Sequence, residues 1–156
     1  MNNEATPAAA PAADLGLVDS LVQLSFAVQG ALADVAAERG LSVIQLRLLG
    51  VLRDRTPGMQ ELARHLGLDK SSMTGLVDRA ERRGLVRRAP APHDGRAVQV
   101  SLTAQGQELA RASTADAGLR IQALAAHLGE AQRTQLSLLA STFVTGRIAG
   151  HTGAAE

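Results

Sequence analysis

Polar side chains cluster at the start of one predicted helix, where the chain reads Lys70, Ser71, Ser72, Met73 and Thr74. The free N–H groups at a helix N-terminus favour phosphate, and polar side chains near that end reach base edges when the helix lies in a major groove. Lys70 supplies a cation, while Ser71, Ser72 and Thr74 supply hydroxyls that donate and accept hydrogen bonds. The serines have a structural alternative, because hydroxyls at a helix start also cap it. The cluster indicates contact with double-stranded DNA.

A second group of candidates lies at the tip of a predicted hairpin, which reads His93-Asp94-Gly95-Arg96. Arg96 is a long cation at a strand end, the type of group that enters a narrow minor groove. The alternative is a surface arginine paired with Asp94. Both interpretations can hold, since a carboxylate that binds the guanidinium also fixes its direction. We therefore expect Arg96 to contact DNA and Asp94 to orient the wing.

Formal charge is distributed unevenly along the chain. Residues 53–96 contain ten of the 16 basic residues and six of the 15 acidic ones, a net +4, whereas the remainder carries −3. Such a basic stretch is typical of a nucleic-acid-binding surface. We expect three arginines of this stretch to contact DNA, chiefly its phosphates: Arg79, Arg82 and Arg88. The alternative is that some of the arginines face solvent or balance Asp78 and Glu81.

Helical periodicity and capping residues predict the elements that position these side chains. Apolar residues at steps of three and four predict a first helix from Leu17 to Val35, ended by Gly40. Further helices are predicted from Ser42 to about Arg53, Met59 to Leu66, Lys70 to Arg83 after an Asp69 cap, Thr103 to about Leu128, and Glu130 to about Arg147. Strands are predicted at 85–88 and 97–102, joined by a tip at 89–96. This order predicts a mainly α fold with a small β-hairpin wing, a winged helix-turn-helix at about residues 42–102.

The helices outside this unit need a separate function. The apolar surface on the first helix is wider than one small domain needs on a single side. We expect the helices at about residues 15–39 and 103–147 to pair two copies of the chain through Leu17, Leu21, Ile121, Leu124, Leu136, Leu139 and Phe143. The alternative is that the first helix crosses beneath its own domain.

Composition limits the other functions. A chain of 156 residues with 46% apolar residues is about one domain, expected here at 14–147 between disordered tails at 1–13 and 148–156. The absence of cysteine excludes a disulfide, a thiolate zinc site and a thiol-based redox sensor. No two histidines have i, i+4 spacing, and no nucleophile elbow, paired-carboxylate cleft or phosphate-binding glycine loop occurs. We expect no metal, no cofactor and no enzymatic activity. The lack of a signal-peptide pattern or a run near 18 apolar residues predicts a cytoplasmic protein without membrane contact.

With these residues in place, the chain resembles the MarR (multiple antibiotic resistance regulator) family of bacterial transcription factors over about residues 15–147. The most specific parts are the runs DKSSMTGLVDRAERRGLVRR from Asp69 and DGRAVQVSLTAQG from Asp94. The resemblance implies a homodimer with interlaced N- and C-terminal helices that binds a palindromic operator. It also implies regulation, usually repression, of a neighbouring or its own gene, often relieved by a small-molecule effector.

Two positions depart from the family pattern. Many members carry Arg after the recognition-helix Thr, where this chain has Gly75, and a basic pair in the wing, where this chain has Gly95 before Arg96. Base readout by a side chain at position 75 is therefore excluded. The expected contacts move to Ser71, Ser72, Thr74 and Arg79, and the wing depends on Arg96.

The effector in such families often lies between the dimerisation helices and the DNA lobe. The corresponding region here is around Val28, Leu32, Arg47 and Met59. Because the chain has no Trp or Tyr, such a pocket would be aliphatic. A functional alternative stays open, namely a winged-helix module for protein contact or small-molecule binding with no DNA role.

Overall fold

The computed structural model of the chain describes residues 14–92 and 94–152, with the backbone alone at 94–96 and 147–152. The described elements confirm a mainly α fold with one antiparallel β-hairpin. In chain order they are α1 (Gly16–Glu38), α2 (Val43–Leu52), α3 (Met59–Leu66), α4 (Lys70–Arg82), β1 (Val86–Ala91), β2 (Asp94–Leu102), α5 (Ala104–Leu124) and α6 (Glu130–Thr152).

Local capping sets the starts of three helices, as the sequence predicts. At the start of α2, the Gln45 backbone N–H donates to Ser42 Oγ at 3.3 Å, and the Ser42 N–H donates to Gln45 Oε1 at 2.9 Å. The side chains of Asp69 and Thr103 accept equivalent backbone hydrogen bonds at the starts of α4 and α5. Each cap satisfies an N–H group that has no partner inside the first turn of its helix.

The core forms where α1 to α5 meet the base of the hairpin. α4 is anchored there by the four residues that its periodicity predicts, each no more than 2% exposed: Met73, Leu76, Val77 and Ala80. Full burial of a side chain such as leucine or methionine stabilises a fold by roughly 1.5–3 kcal/mol. Because this face of α4 is held inside, the opposite face is turned to solvent.

The hairpin has longer strands and a shorter tip than the sequence predicts. β1 and β2 pair from Val86 opposite Leu102 to Pro90 opposite Val98, and a register shift then brings Ala91 opposite Asp94. The predicted tip at residues 89–96 is therefore wrong, because both strands extend into it. Asp94 and Gly95 have the composition of a turn, but the irregularity in pairing accommodates extra residues within β2.

The wing is attached to the start of α3, a connection that periodicity does not predict. Gly58 forms an isolated antiparallel bridge with Gln99, and the Val100 N–H donates to the Pro57 carbonyl at 3.0 Å. These contacts fix the direction of the hairpin relative to α3 and α4.

The ends of two helices differ from the predicted ones. α5 stops at Leu124 rather than at about Leu128, because the chain tightens into a turn in which the Ala125 N–H donates to the Gln122 carbonyl. α6 continues to Thr152, past the expected end at about residue 147. The predicted tail at 1–13 lies outside the described residues, as do residues 153–156 of the tail predicted at 148–156, whereas residues 148–152 are helical.

By length and composition alone, α1 is apolar enough to cross a membrane. Asp19 and Asp34 interrupt this helix, so this measure does not contradict the expectation of no run near 18 apolar residues. Only 11% of the most apolar window of α1 is buried within the chain. An apolar helix left this exposed requires a further surface to cover it.

Candidate nucleic-acid interface

The outward face of α4 carries six of the eight side chains that the sequence predicts to contact DNA. All six of them are exposed: Lys70, Ser71, Ser72, Thr74, Arg79 and Arg82. The helix therefore presents its polar N-terminal end and a line of cations together, the arrangement required of a helix that enters a major groove.

The Asp69 carboxylate organises the N-terminal end of this face. It accepts hydrogen bonds from Ser71 Oγ at 2.6 Å, Ser72 Oγ at 2.7 Å and the Ser72 backbone N–H at 2.9 Å. The hydrogen bonds from Ser71 and Ser72 hold the pKa of the Asp69 carboxyl well below its usual range. Both serine hydroxyl protons are thus committed to Asp69, which leaves the serine oxygens to accept hydrogen bonds from a ligand.

The serines therefore fulfil part of their predicted alternative role. Asp69 is the capping residue itself, while Ser71 and Ser72 fix the orientation of its carboxylate. Thr74 is also held by the helix, since its Oγ1 donates to the Lys70 carbonyl at 2.9 Å. The three hydroxyl groups consequently have defined directions before any ligand is present.

Arg88 is engaged within the protein. Its guanidinium forms ion pairs with Asp78 and Glu81, each at 2.6 Å, and its backbone N–H donates to Glu81 Oε1 at 3.2 Å. The predicted alternative of balancing these two acids therefore holds for Arg88. The pairs tie β1 to α4, so Arg88 holds α4 in place rather than lying free on the surface.

Other arginines of the basic stretch also have partners within the chain. Arg83 donates to the Gly40 carbonyl at 2.8 Å, and Arg53 forms a two-point contact with Asp54. By contrast, no carboxylate of a described side chain lies within 4.0 Å of Lys70, Arg79 or Arg82. Lys70, Arg79 and Arg82 are thus three cations without a described acidic partner that share the outward face of α4.

The side chains of the wing tip lie outside the described residues. This applies to Arg96, predicted to contact DNA, and to Asp94, predicted to orient the wing. Their backbone forms part of β2, with Asp94 opposite Ala91. The role of Arg96 stays a prediction.

The four residues predicted around an effector are not brought together. Met59 lines a cavity of about 430 Å³ between α3 and α4, whose wall also includes Lys70 and Thr74. Arg47 lines a separate cavity of about 430 Å³ beside Arg55 and His65. Val28 and Leu32 lie half-buried on α1 and line neither cavity. The crevice between α3 and α4 is a feature that sequence periodicity did not predict.

The residues predicted to pair two copies lie on open surfaces. α6 is exposed at every described side chain, 130–146, although it carries Leu136, Leu139 and Phe143. On α1, Leu17 is 76% exposed, and on α5 Leu124 is 39% exposed. Leu21 is likewise exposed and Ile121 is half-buried.

Metal-ligating side chains do not gather in the part of the chain that the structure describes. No group of three or more His, Asp or Glu residues there is placed to hold a metal ion.

A known protein family matches the part of the chain that contains α4. A family model described as "MarR family" matches residues 39–97, which include α2, α3, α4 and β1. The HTH-type transcriptional repressor NicR from Pseudomonas putida is 39% identical over 75 residues, a stretch covering 47% of this chain and 48% of NicR. The chain thus matches about half the length of this curated relative.

Solved structures extend the likeness to most of the chain. The crystal structure of transcriptional regulator PA4135 is 30% identical, covers 83% of this chain and 96% of its own, and has a TM-score of 0.70. CouR from Rhodococcus jostii RHA1, solved bound to p-coumaroyl-CoA, is 25% identical, covers 80% of this chain and 88% of its own, and has a TM-score of 0.68.

The fold and the polar face of α4 define a winged helix-turn-helix transcriptional regulator. The chain belongs to the MarR family.

Proposed function

We propose that the protein is a homodimeric, sequence-specific DNA-binding regulator that represses a neighbouring or its own gene and is released by a small ligand. The observation that carries the proposal is the outward face of α4. There, Lys70, Arg79 and Arg82 lack an acidic partner among the described side chains, whereas Asp78 and Glu81 are both ion-paired with Arg88. This arrangement concentrates positive electrostatic potential on the outward face of α4, which lies beside the wing.

The physical argument for DNA binding rests on which charged side chains of the winged helix-turn-helix are ion-paired with one another and which are not. Phosphate binding releases condensed counterions, so affinity depends on cations that are free to approach the backbone. The ion pairs of Arg88 partly offset the negative charge of two carboxylates that would otherwise oppose that approach. The serine oxygens and Arg79 then supply groups that can read base edges in the major groove.

The proposal of a homodimer rests on exposed apolar helices. A helix of 23 residues whose described side chains are all exposed gains little tertiary packing from its own chain. Most helical stability in proteins comes from packing of an apolar face, so α6 requires a partner surface. A second copy would cover α1 and α6 together, and its two-fold symmetry would match a palindromic operator. Covering α1 in this way also accounts for its apolar character in a cytoplasmic protein.

Repression and ligand release are proposed by analogy with relatives. NicR is named a transcriptional repressor, and CouR was solved with a bound acyl-CoA compound.

Binding of the purified protein to DNA tests the proposal. Fluorescence anisotropy would be measured with the duplex upstream of its own gene and with a random duplex of equal length, across 50 to 200 mM salt. We expect preference for the upstream duplex and a loss of affinity of about 10³-fold or more over that salt range, as for six or more phosphate contacts. Failure to bind any duplex at low salt would favour a winged-helix module for protein contact or small-molecule binding.

A further inference from the structure

Gly75 leaves an opening in the middle of the outward face of α4. A Cβ atom built on Gly75 would lie 3.3 Å from Arg79 Nη1. The end of the Arg79 side chain therefore lies directly over the backbone of Gly75. The cause is general, because helical side chains lean toward the N-terminus of their helix and meet the residue four positions earlier.

This placement moves the guanidinium toward the end of the helix that enters the groove. Residues near the N-terminus of a recognition helix contact base edges, whereas later residues diverge from the groove floor. Arg79 is attached in the second half of α4, but its charged end lies one turn earlier, above Gly75. The missing side chain at position 75 thus makes room for the one at position 79.

The guanidinium of Arg79 is also available to bind a ligand. It is exposed, and no described carboxylate lies within 4.0 Å of it. Arg88 differs in this respect, because its guanidinium is held by Asp78 and Glu81. Loss of a guanidinium that has no acidic partner leaves no buried acid behind, so a variant at position 79 tests recognition rather than folding.

Ser71 and Ser72 lie beside the same opening. A shallow depression of about 320 Å³ is lined by these serines together with Gly75 and Arg79. Since both serine protons are donated to Asp69, the depression offers donors from Arg79 and acceptors from the serine oxygens. Guanine presents two acceptors in the major groove, N7 and O6, and the cytosine paired with it presents an amino donor.

We propose that Arg79 is a specificity-determining residue that reads a guanine in each half-site across the opening left by Gly75. This proposal rests on the proposed DNA-binding function. It assigns to Arg79 the base contact that position 75 cannot make with a side chain.

Selection from a library of random-sequence duplexes tests the proposal with the full-length protein. Four proteins would each be used to select bound duplexes, which are then sequenced: the wild type, Arg79→Ala, Arg79→Lys and Arg82→Ala. We expect Arg79→Ala to lose the preference for one guanine in each half of the palindrome by about tenfold or more. Arg79→Lys should lose much of the same preference, because an ammonium lacks the two-point geometry of a guanidinium.

Arg82→Ala is the matched control. It removes one exposed cation from the same helix and should lower affinity about equally for all sequences while leaving the selected motif unchanged. If Arg79→Ala also selects the unchanged wild-type motif with uniformly weaker binding, Arg79 contacts only phosphate and the proposal is overturned. If the wild type itself selects no motif, the proposed function fails, and the proposal fails with it. Circular dichroism of each variant checks that the helix content of the protein is retained.

Discussion

The backbone of Gly106 lies against the carbonyl group of Leu85, so closely that a Cβ atom on Gly106 would overlap it. The contact joins the first turn of α5 to the residue that precedes β1. It is reinforced by the Thr103 N–H, which donates to the Leu85 carbonyl at 3.1 Å. Through these groups the wing and α5 hold one fixed relative position.

Gly106→Ala should therefore destabilise the protein, by about 3 kcal/mol or more, because neither backbone segment can move without repacking. The measurement is the free energy of unfolding from urea denaturation. Gly118→Ala is the matched control on the same helix, where nothing lies within 4 Å of the added Cβ. That change should stabilise by up to about 1 kcal/mol, since alanine favours the helix. Equal effects of the two substitutions would contradict the close approach.

Arg88→Ala should destabilise the lobe by roughly 1 kcal/mol, because its two ion pairs with Asp78 and Glu81 are partly exposed. The difference from the wild type should shrink at 1 M salt, where such pairs are screened. Arg87→Ala is the control on the same strand, as Arg87 contacts only the Ser101 hydroxyl among the described side chains. An unfolding free energy for Arg88→Ala equal to that of Arg87→Ala would argue against a supporting role.

The features predicted correctly from the sequence are those set within a few residues. The capping box of Ser42 and Gln45 and the buried face of α4 depend on spacings of three and four, which can be read along the chain. The tip of the hairpin was predicted wrongly, because Asp94 and Gly95 favour a turn locally but both belong to β2, in which Asp94 pairs with Ala91 across an irregularity in the register. Pairing between residues on different strands determines the structure of that segment, and residue spacing along the sequence does not reveal such pairing.

The contacts of the site's arginines were equally beyond local reasoning. Arg79 and Arg88 are both arginines in one basic stretch, and only packing between α4 and β1 distinguishes them. The close approach of Gly106 to Leu85 likewise joins two segments whose separation depends on the whole fold. The sequence shows which residue types are present, whereas the tertiary structure determines which of their side chains are free to bind a ligand.

The Asp69 cap should make the stability of α4 depend on pH. Because hydrogen bonds from Ser71 and Ser72 lower the pKa of Asp69 in the folded state, the carboxylate stabilises the fold above its unfolded pKa of about 3.9. That stabilisation is lost as the pH falls through the folded pKa. Asp69→Asn keeps a capping oxygen but removes the charge. The difference in melting temperature between wild type and Asp69→Asn should thus be constant near pH 7 and narrow steadily below about pH 4. A difference that stays constant down to pH 2 would refute this account.

Ser113 on α5 is buried, 1% exposed, and its hydroxyl has no hydrogen-bond partner among the described residues. An unsatisfied buried hydroxyl costs about 1–3 kcal/mol. Ser113→Ala should therefore be neutral or stabilising by up to about 1 kcal/mol, after allowance for the small space that it leaves. The reverse change at a neighbouring buried position, Ala110→Ser, should destabilise. Urea denaturation of both variants checks the pair, and a clear loss of stability in Ser113→Ala would indicate a partner for the hydroxyl.

Leu139 and Phe143 lie on the exposed face of α6, at 62% and 53% exposed. If a second copy covers them, a carboxylate at either position must be desolvated inside the interface, at a cost of several kcal/mol. Leu139→Asp and Phe143→Asp should each shift the protein from dimer to monomer, as measured by multi-angle light scattering at micromolar concentration. Val98→Asp is the control, because Val98 is also exposed, at 43%, but lies on the wing. A wild-type protein that is monomeric, or α6 variants that remain as dimeric as the Val98 control, would exclude this face of α6 from the interface. A monomeric α6 variant should also bind one half-site at a time, so its affinity for a palindrome should fall to that for a single half-site.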